Sequence, residues 1–172
     1  ARRLDDEGWA VEIAWSGERA LVVCEPGDVR MFAADGREIT AALPDIRRIG
    51  RATGSLEAVL DGVIVPVDAE GRPLDTTDGT DALTRRLVDA SPTTWRKLAQ
   101  RDPVALMAVD MIWLEGHTII DESWSQRRSL LEQLHLDGPA WQTPTAHRGD
   151  VTSIVDAAAS SGTAPESSRC WH

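Results

Sequence analysis

Two long apolar runs constrain the fold more than any other feature of the chain. They read Leu56-Glu-Ala-Val-Leu-Asp-Gly-Val-Ile-Val-Pro-Val67 and Val104-Ala-Leu-Met-Ala-Val-Asp-Met-Ile-Trp-Leu114. Both are rich in β-branched and large apolar residues, which suit a pleated surface covered by other parts of the protein. Both are therefore expected to be strands, the first of them buried.

Shorter strands are expected ahead of them. Trp9 to Trp15 and Arg19 to Cys24 are joined by Ser16-Gly17-Glu18, and Val29 to Ala33 leads into Ala34-Asp35-Gly36-Arg37, whose Asp-Gly pair signals a hairpin turn. Pro44 to Gly50 reads as a short helix, and Asp68 to Pro73 as a turn. Thr76 to Asp81 is polar and is expected to be a mobile loop. Helical periodicity then runs from Asp81 to about Asp89. Ser91 offers a cap and Pro92 a first helical residue for a helix ending near Gln100. Ser123 and Gln126 form a capping box for a helix to about Leu134. Ala140 to Thr143 reads as a short strand, and Asp150 caps a helix over Val151 to Ala159. Residues 160–168 have linker composition. Antiparallel strands interrupted by helices, without strict alternation, indicate an α+β architecture.

The 172 residues suffice for one domain with a substantial core. The formal charge of −10 argues against strong autonomous DNA binding, because a duplex backbone repels such a surface on average, although a local basic face is compatible with it. Arginine supplies nearly all the positive charge, a bias that suits a bacterial genome of high GC content. Lys97 is the only lysine. Cys24 lies in an apolar alternating run and reads as a buried, reduced thiol. His117, His135, His147 and His172 are scattered without ligand spacing, so no metal site is expected. No leader or membrane-length apolar run stands out, which points to a cytoplasmic protein without a membrane role.

Five segments, in order, carry a family resemblance. Trp9-Ala-Val-Glu-Ile-Ala-Trp-Ser-Gly-Glu-Arg19 is similar to the Glu-x-Lys-Trp-Asp-Gly-x-Arg motif of ATP-dependent DNA ligases. Leu60-Asp-Gly-Val-Ile-Val65 is similar to their Leu-Asp-Gly-Glu-Ile-Val strand. Ala82-Leu-Thr-Arg-Arg-Leu87 resembles the helix that follows in bacterial repair ligases. Val104 to Gly116 is similar to their Val-Ala-Phe-Asp-Leu-Leu-Trp-Leu-Asp-Gly strand, and Ser125-Gln-Arg-Arg-Ser-Leu-Leu131 to the helix behind it. The resemblance implies the nucleotidyltransferase fold of the adenylation domain: two antiparallel sheets flanked by helices, with a cleft between them. It implies a domain over residues 1–160 and a tail over 161–172, with Cys170-Trp171-His172 the remnant of a closing Trp-x-Lys-x-Lys segment.

The resemblance also locates departures. Ala14 stands where the family keeps its nucleophilic lysine, and a methyl group has no lone pair with which to attack a phosphate. Ser16 replaces an acid, Val63 a glutamate that serves ribose or metal, and Val109 the ring that stacks on adenine. Gly17, Arg19, Asp61, Gly62, Asp110 and Trp113 match. Arg19, Asp61 and Asp110 are thus the candidate nucleotide contacts. For Arg19 the competing role is a salt bridge with Glu12 or another acid; for Asp61 and Asp110 it is hydrogen bonding in turns and at strand ends. Trp15 and Trp113 read as core, whereas Trp95, Trp124 and Trp141 are candidates for partly exposed interaction anchors. Lys97, the one conceivable alternative adenylation site, reads as a solvated helix residue.

Two functional readings follow. One is a non-catalytic ligase-like module that needs no cofactor and associates with a DNA repair or replication protein. The other is a ligase-family nucleotide-binding or nucleotidyltransferase role, using ATP and magnesium, that is weak or completed by another chain. A relic domain that stabilises a larger polypeptide is the blander form of the first.

Overall fold

The computed structural model describes residues 10–74, 77–88, 91–148 and 169–171. They fall into two compact units, a small one built from the two ends of the chain and a large one spanning Ser16–Thr143. In the small unit, β1 (Ala10–Glu12) lies between β9 (His147–Arg148) and β10 (Arg169–Trp171), antiparallel to both. The expected strand over Trp9 to Trp15 is therefore shorter, and the end of the expected tail is a strand. The expected helix over Val151 to Ala159 lies outside the described residues.

The large unit holds β2 (Glu18–Glu25), β3 (Asp28–Ala33), β4 (Ala58–Pro66), β5 (Val104–Leu114), β6 (His117–Thr118), β7 (Asp137–Gly138) and β8 (Trp141–Gln142). Its helices are α1 (Gly50–Thr53), α2 (Thr77–Val88), α3 (Pro92–Arg101) and α4 (Trp124–Gln133). The sheet order is β3-β2-β4-β5-β8-β7, with β6 paired to β5. Every pairing is antiparallel except β5 with β8. The sheet is thus mixed, which corrects the expectation of purely antiparallel sheets. The cause is connectivity: α4 intervenes between β5 and β8, and a crossover of that kind brings a strand back parallel. Thr77 to Asp81, expected to be part of a loop, is the first part of α2.

Alternation along β2 decides which face is core. Ala20, Val22 and Cys24 are buried, as are their counterparts Val29, Met31 and Ala33 on β3 and Ala58, Leu60 and Ile64 on β4. The core closes over this face with Leu43, Ile46, Ile49, Leu83 and Leu131. The capping box of α4 forms as the sequence requires, with Gln126 N–H donating to Ser123 Oγ and Ser123 N–H donating to Gln126 Oε1. At α3 the Ser91 side chain makes no such bond; its hydroxyl meets those of Thr93 and Thr94 instead.

Cys24 is a free, buried thiol, and burial pushes its pKa up to about 11. Since the folded value exceeds the unfolded one, folding favours the protonated thiol below the unfolded pKa, and that contribution disappears as pH rises through about 11. In a Cys170→Ser variant, Cys24 should resist Ellman's reagent at mildly alkaline pH and react promptly once guanidinium unfolds the protein; prompt native-state reaction would contradict the burial.

Arg86 is the largest polar intrusion into the core. It is fully buried on α2 and makes paired 2.8 Å bonds to the Asp45 carboxylate, plus bonds to the carbonyls of Ala42 and Asp102 at 2.8 and 3.0 Å. Removing the guanidinium leaves the half-buried Asp45 carboxylate and the two carbonyls without their donor. Arg86→Met is expected to cost about 3–5 kcal/mol in urea unfolding. A change below about 1 kcal/mol would show that the pair carries little.

Candidate functional site

The face of the large sheet opposite the core carries the residues singled out by sequence. Gly17 opens it: a Cβ there would collide with the Ile64 carbonyl, so only glycine lets the chain run this close to β4 as it enters β2. Ser16, just before it, is exposed. Along β2, Arg19, Leu21 and Val23 point away from the core, in register with Val63, Asp61 and Val59 of β4. These in turn pair with Met107, Asp110 and Trp113 of β5. Trp113 is half-buried on this face instead of lying in the core.

The register between β4 and β5 slips twice, between Val59 and Leu60 and between Asp61 and Gly62. The slips pass over Ile112 and Val109, the signature of β-bulges that re-aim the residues beside them. Val109 therefore has no partner on β4. Its carbonyl accepts a 3.2 Å hydrogen bond from the buried guanidinium of Arg128.

The bulges leave Asp61 directly opposite Asp110. Like charges at that position, with Cβ atoms about 5 Å apart, repel. Each is answered by an arginine. Arg19 Nε and Nη2 donate to the two Asp61 carboxylate oxygens at 3.0 and 2.5 Å. Arg127 of α4 donates from Nε and Nη2 to Asp110 at 3.0 and 2.8 Å, and its Nη1 reaches the Glu122 carbonyl at 2.5 Å. Asp110 also accepts from the N–H of Met111 at 2.8 Å. Hydrogen bonding to Asp61, then the charge of that carboxylate, raises the Arg19 pKa above its ordinary value; Asp110 adds a smaller contribution. Hydrogen bonding to Asp110 raises that of Arg127.

The structure thus unites Arg19, Asp61, Val63 and Asp110 on one face, with Val109 at its bulge. Ala14 belongs to the small unit, in the segment after β1. Lys97 is exposed on α3. Of the tryptophans expected to be interaction anchors, Trp141 is buried in the main core at 8% exposure, so its ring is closed to a partner. Trp95 is half-buried and packs on that core, and Trp124 is half-buried at the start of α4. Among the described residues, no three His, Cys, Asp or Glu side chains stand close enough to hold a metal ion.

Sequence reasoning assigned no role to Arg127, Arg128 or Arg86. Helical spacing carried a usable signal for the last: Leu83, Arg86 and Leu87 share one face of α2, and Leu83 is core.

Residues 1–160 match the ATP dependent DNA ligase domain family. The chain belongs to that family. The multifunctional non-homologous end joining protein LigD of Mycolicibacterium smegmatis is 28% identical over 148 residues, which cover 86% of this chain and 17% of that protein. The LigD described as a DNA repair protein in Mycobacterium tuberculosis is 30% identical over 126 residues, 73% of this chain and 14% of that protein. A DNA ligase of Natronomonas pharaonis is 29% identical over 155 residues, 89% of this chain and 26% of that enzyme. Among solved structures, mycobacterial DNA ligase D complexed with ATP and MES superposes with a TM-score of 0.66 at 27% identity, covering 90% of this chain and 45% of that one. The ligase domain of M. tuberculosis LigD gives the same TM-score. The α+β fold is therefore that of DNA ligase adenylation domains, and this ligase-family chain spans between 14% and 26% of the length of these curated relatives.

The two ion pairs of the site differ in burial, which sets their worth. Arg19 is 65% exposed although its partner Asp61 is only 11% exposed, whereas Arg127 and Asp110 are 15% and 19% exposed. Exposed pairs contribute about 0.2–1 kcal/mol, while hydrogen bonds to charged groups out of solvent contribute about 1.5–3 kcal/mol. Urea unfolding of Arg127→Ala should accordingly show the larger loss, with a smaller loss for Arg19→Ala, which leaves the buried Asp61 carboxylate opposite Asp110 without its guanidinium. The reverse order would mean that the sheet face is not organised around Asp110.

Proposed function

We propose that this chain is a non-catalytic member of the ligase family, a scaffold that keeps the adenylation-domain fold for association with a DNA repair or replication protein in the cytoplasm. The observation that carries the reading is the closed charge arrangement on the sheet face. Asp61 accepts from both arms of the Arg19 fork, Asp110 accepts from Arg127 and the Met111 N–H, and Val63 and Val109 carry no charge. ATP and magnesium fit this set poorly. A divalent cation needs carboxylate oxygens free to coordinate it, and a phosphate needs guanidinium donors not already committed to carboxylates.

Ala14 supports the same conclusion from the sequence side. Loss of one electrostatic contact slows an enzyme by about a hundred- to a thousandfold, but loss of the nucleophile removes the covalent step. The M. tuberculosis relative, a DNA repair protein by its description, motivates the choice of partner class.

A second reading draws on the 65% exposure of Arg19, which leaves its guanidinium accessible to a nucleotide. There the chain binds ATP weakly, or works with a lysine from another chain. Micromolar ATP affinity by calorimetry, abolished in Arg19→Ala, would favour it.

Incubation with α-labelled ATP and magnesium or manganese is expected to leave no labelled protein on a denaturing gel. Ala14→Lys alone should not restore labelling, because the acid and ring replaced by Val63 and Val109 remain missing. A stoichiometric labelled band from the unsubstituted protein would overturn the non-catalytic reading.

A further inference from the structure

A second feature of the large unit lies at the far end of β2. Arg19 is near the start of that strand, and its last residue, Glu25, lies about 20 Å further along. There the β2–β3 turn and the segment around α1 enclose an open depression of about 390 Å³, lined by Gly27, Asp28, Val29, Pro44, Gly50 and the three arginines 47, 48 and 51.

Packing holds the three guanidinium groups together. The residues form a 3-10 turn (Ile46–Ile49) running directly into α1, anchored by Ile46 and Ile49, both fully buried. A Cβ on Gly50 would lie 2.8 Å from Val29 Cγ2, so the absence of a side chain there lets the segment press against β3. Asp28 is the only acid in the lining, and Arg47 already bonds it at 3.2 Å. The acid next in sequence to the cluster, Asp45, is taken by the buried Arg86. Arg48 and Arg51 are both exposed and have no carboxylate partner among the described residues. Two uncompensated guanidinium groups therefore share a concave surface on a chain whose net charge is −10. Concentrating positive charge in one depression, against the sign of the whole protein, creates a local field that attracts anions. Planar forked donors of this kind suit phosphate oxygens.

We propose that this depression binds phosphate groups through Arg48 and Arg51, with Arg47 joining when it exchanges Asp28 for the ligand. A nucleic-acid backbone and a free phosphorylated small molecule both carry that chemistry. The inference stands whether or not the chain transfers nucleotidyl groups, since it uses none of the residues of the sheet face.

The test is NMR of the arginine Nε–Hε signals of the whole chain during titration with inorganic pyrophosphate, and separately with single-stranded DNA of about 20 nucleotides. The signals of Arg47, Arg48 and Arg51 should move with either probe, while that of Arg72, whose partners are Asp68 and Glu70, should stay. The combined substitution Arg47→Gln, Arg48→Gln, Arg51→Gln should weaken DNA binding at least about tenfold, and Arg72→Gln should not. Affinity for DNA about tenfold or more above that for pyrophosphate identifies the polymer backbone as the source; equal or weaker affinity identifies a small ligand. Unmoved signals for the three arginines at saturating pyrophosphate and with DNA overturn the proposal, independently of whether the triple variant folds.

Discussion

Repulsion between two carboxylates organises the sheet face that carries the candidate site of this protein. Asp61 and Asp110 face each other across the two central strands of the large sheet, where like charges oppose pairing. The register nevertheless holds, because a guanidinium approaches each carboxylate from its own side. Arg19 arrives along the neighbouring strand and Arg127 from the helix packed behind β5. The bulges that pass over Val109 and Ile112 put both aspartates on the same face. Neutralisation and register are therefore one feature: shifting either strand by a residue would bury the carboxylates among Leu60, Ala108 and Met111.

Arginine does comparable work inside the large unit. Arg86 ties α2 to the Asp45 carboxylate and to the carbonyls of Ala42 and Asp102, and Arg128 of α4 meets the carbonyl of the bulged Val109. In the tandem pair 127–128 one arginine serves the sheet face and its neighbour lies buried under the bulge. Guanidinium groups locked to carboxylates and carbonyls have fewer donors left for phosphates. Around α1, Arg47 meets Asp28, but Arg48 and Arg51 have no carboxylate partner among the described residues, which makes the local electrostatics there opposite in sign to the overall charge.

Much of the architecture was legible without coordinates. The β-branched runs became β4 and β5, the Asp-Gly turn followed β3, and the Ser123–Gln126 box capped α4, since each depends on short-range preferences or a single periodicity. The errors arose where a distant partner overrode local composition. The polar stretch from Thr77 joined α2, the crossover through α4 made the sheet mixed, and Trp141 went into the core. At the candidate site, sequence named Arg19, Asp61 and Asp110 but missed Arg127, whose place opposite Asp110 depends on how α4 lies against β5.

By itself the amino-acid sequence determined membership of the ligase family and the side chains present along it: alanine at 14 and valine at 63 and 109. Those are properties of single residues and their order, and no packing can add an amine to Ala14. Only the tertiary structure decided which charges meet. Arg19 and Asp61 are 42 residues apart and Arg127 and Asp110 are 17 apart, so their union, like the isolation of Arg48 and Arg51, follows from strand register and helix placement. A guanidinium becomes a strut or a ligand-binding group according to whether folding brings it an acid.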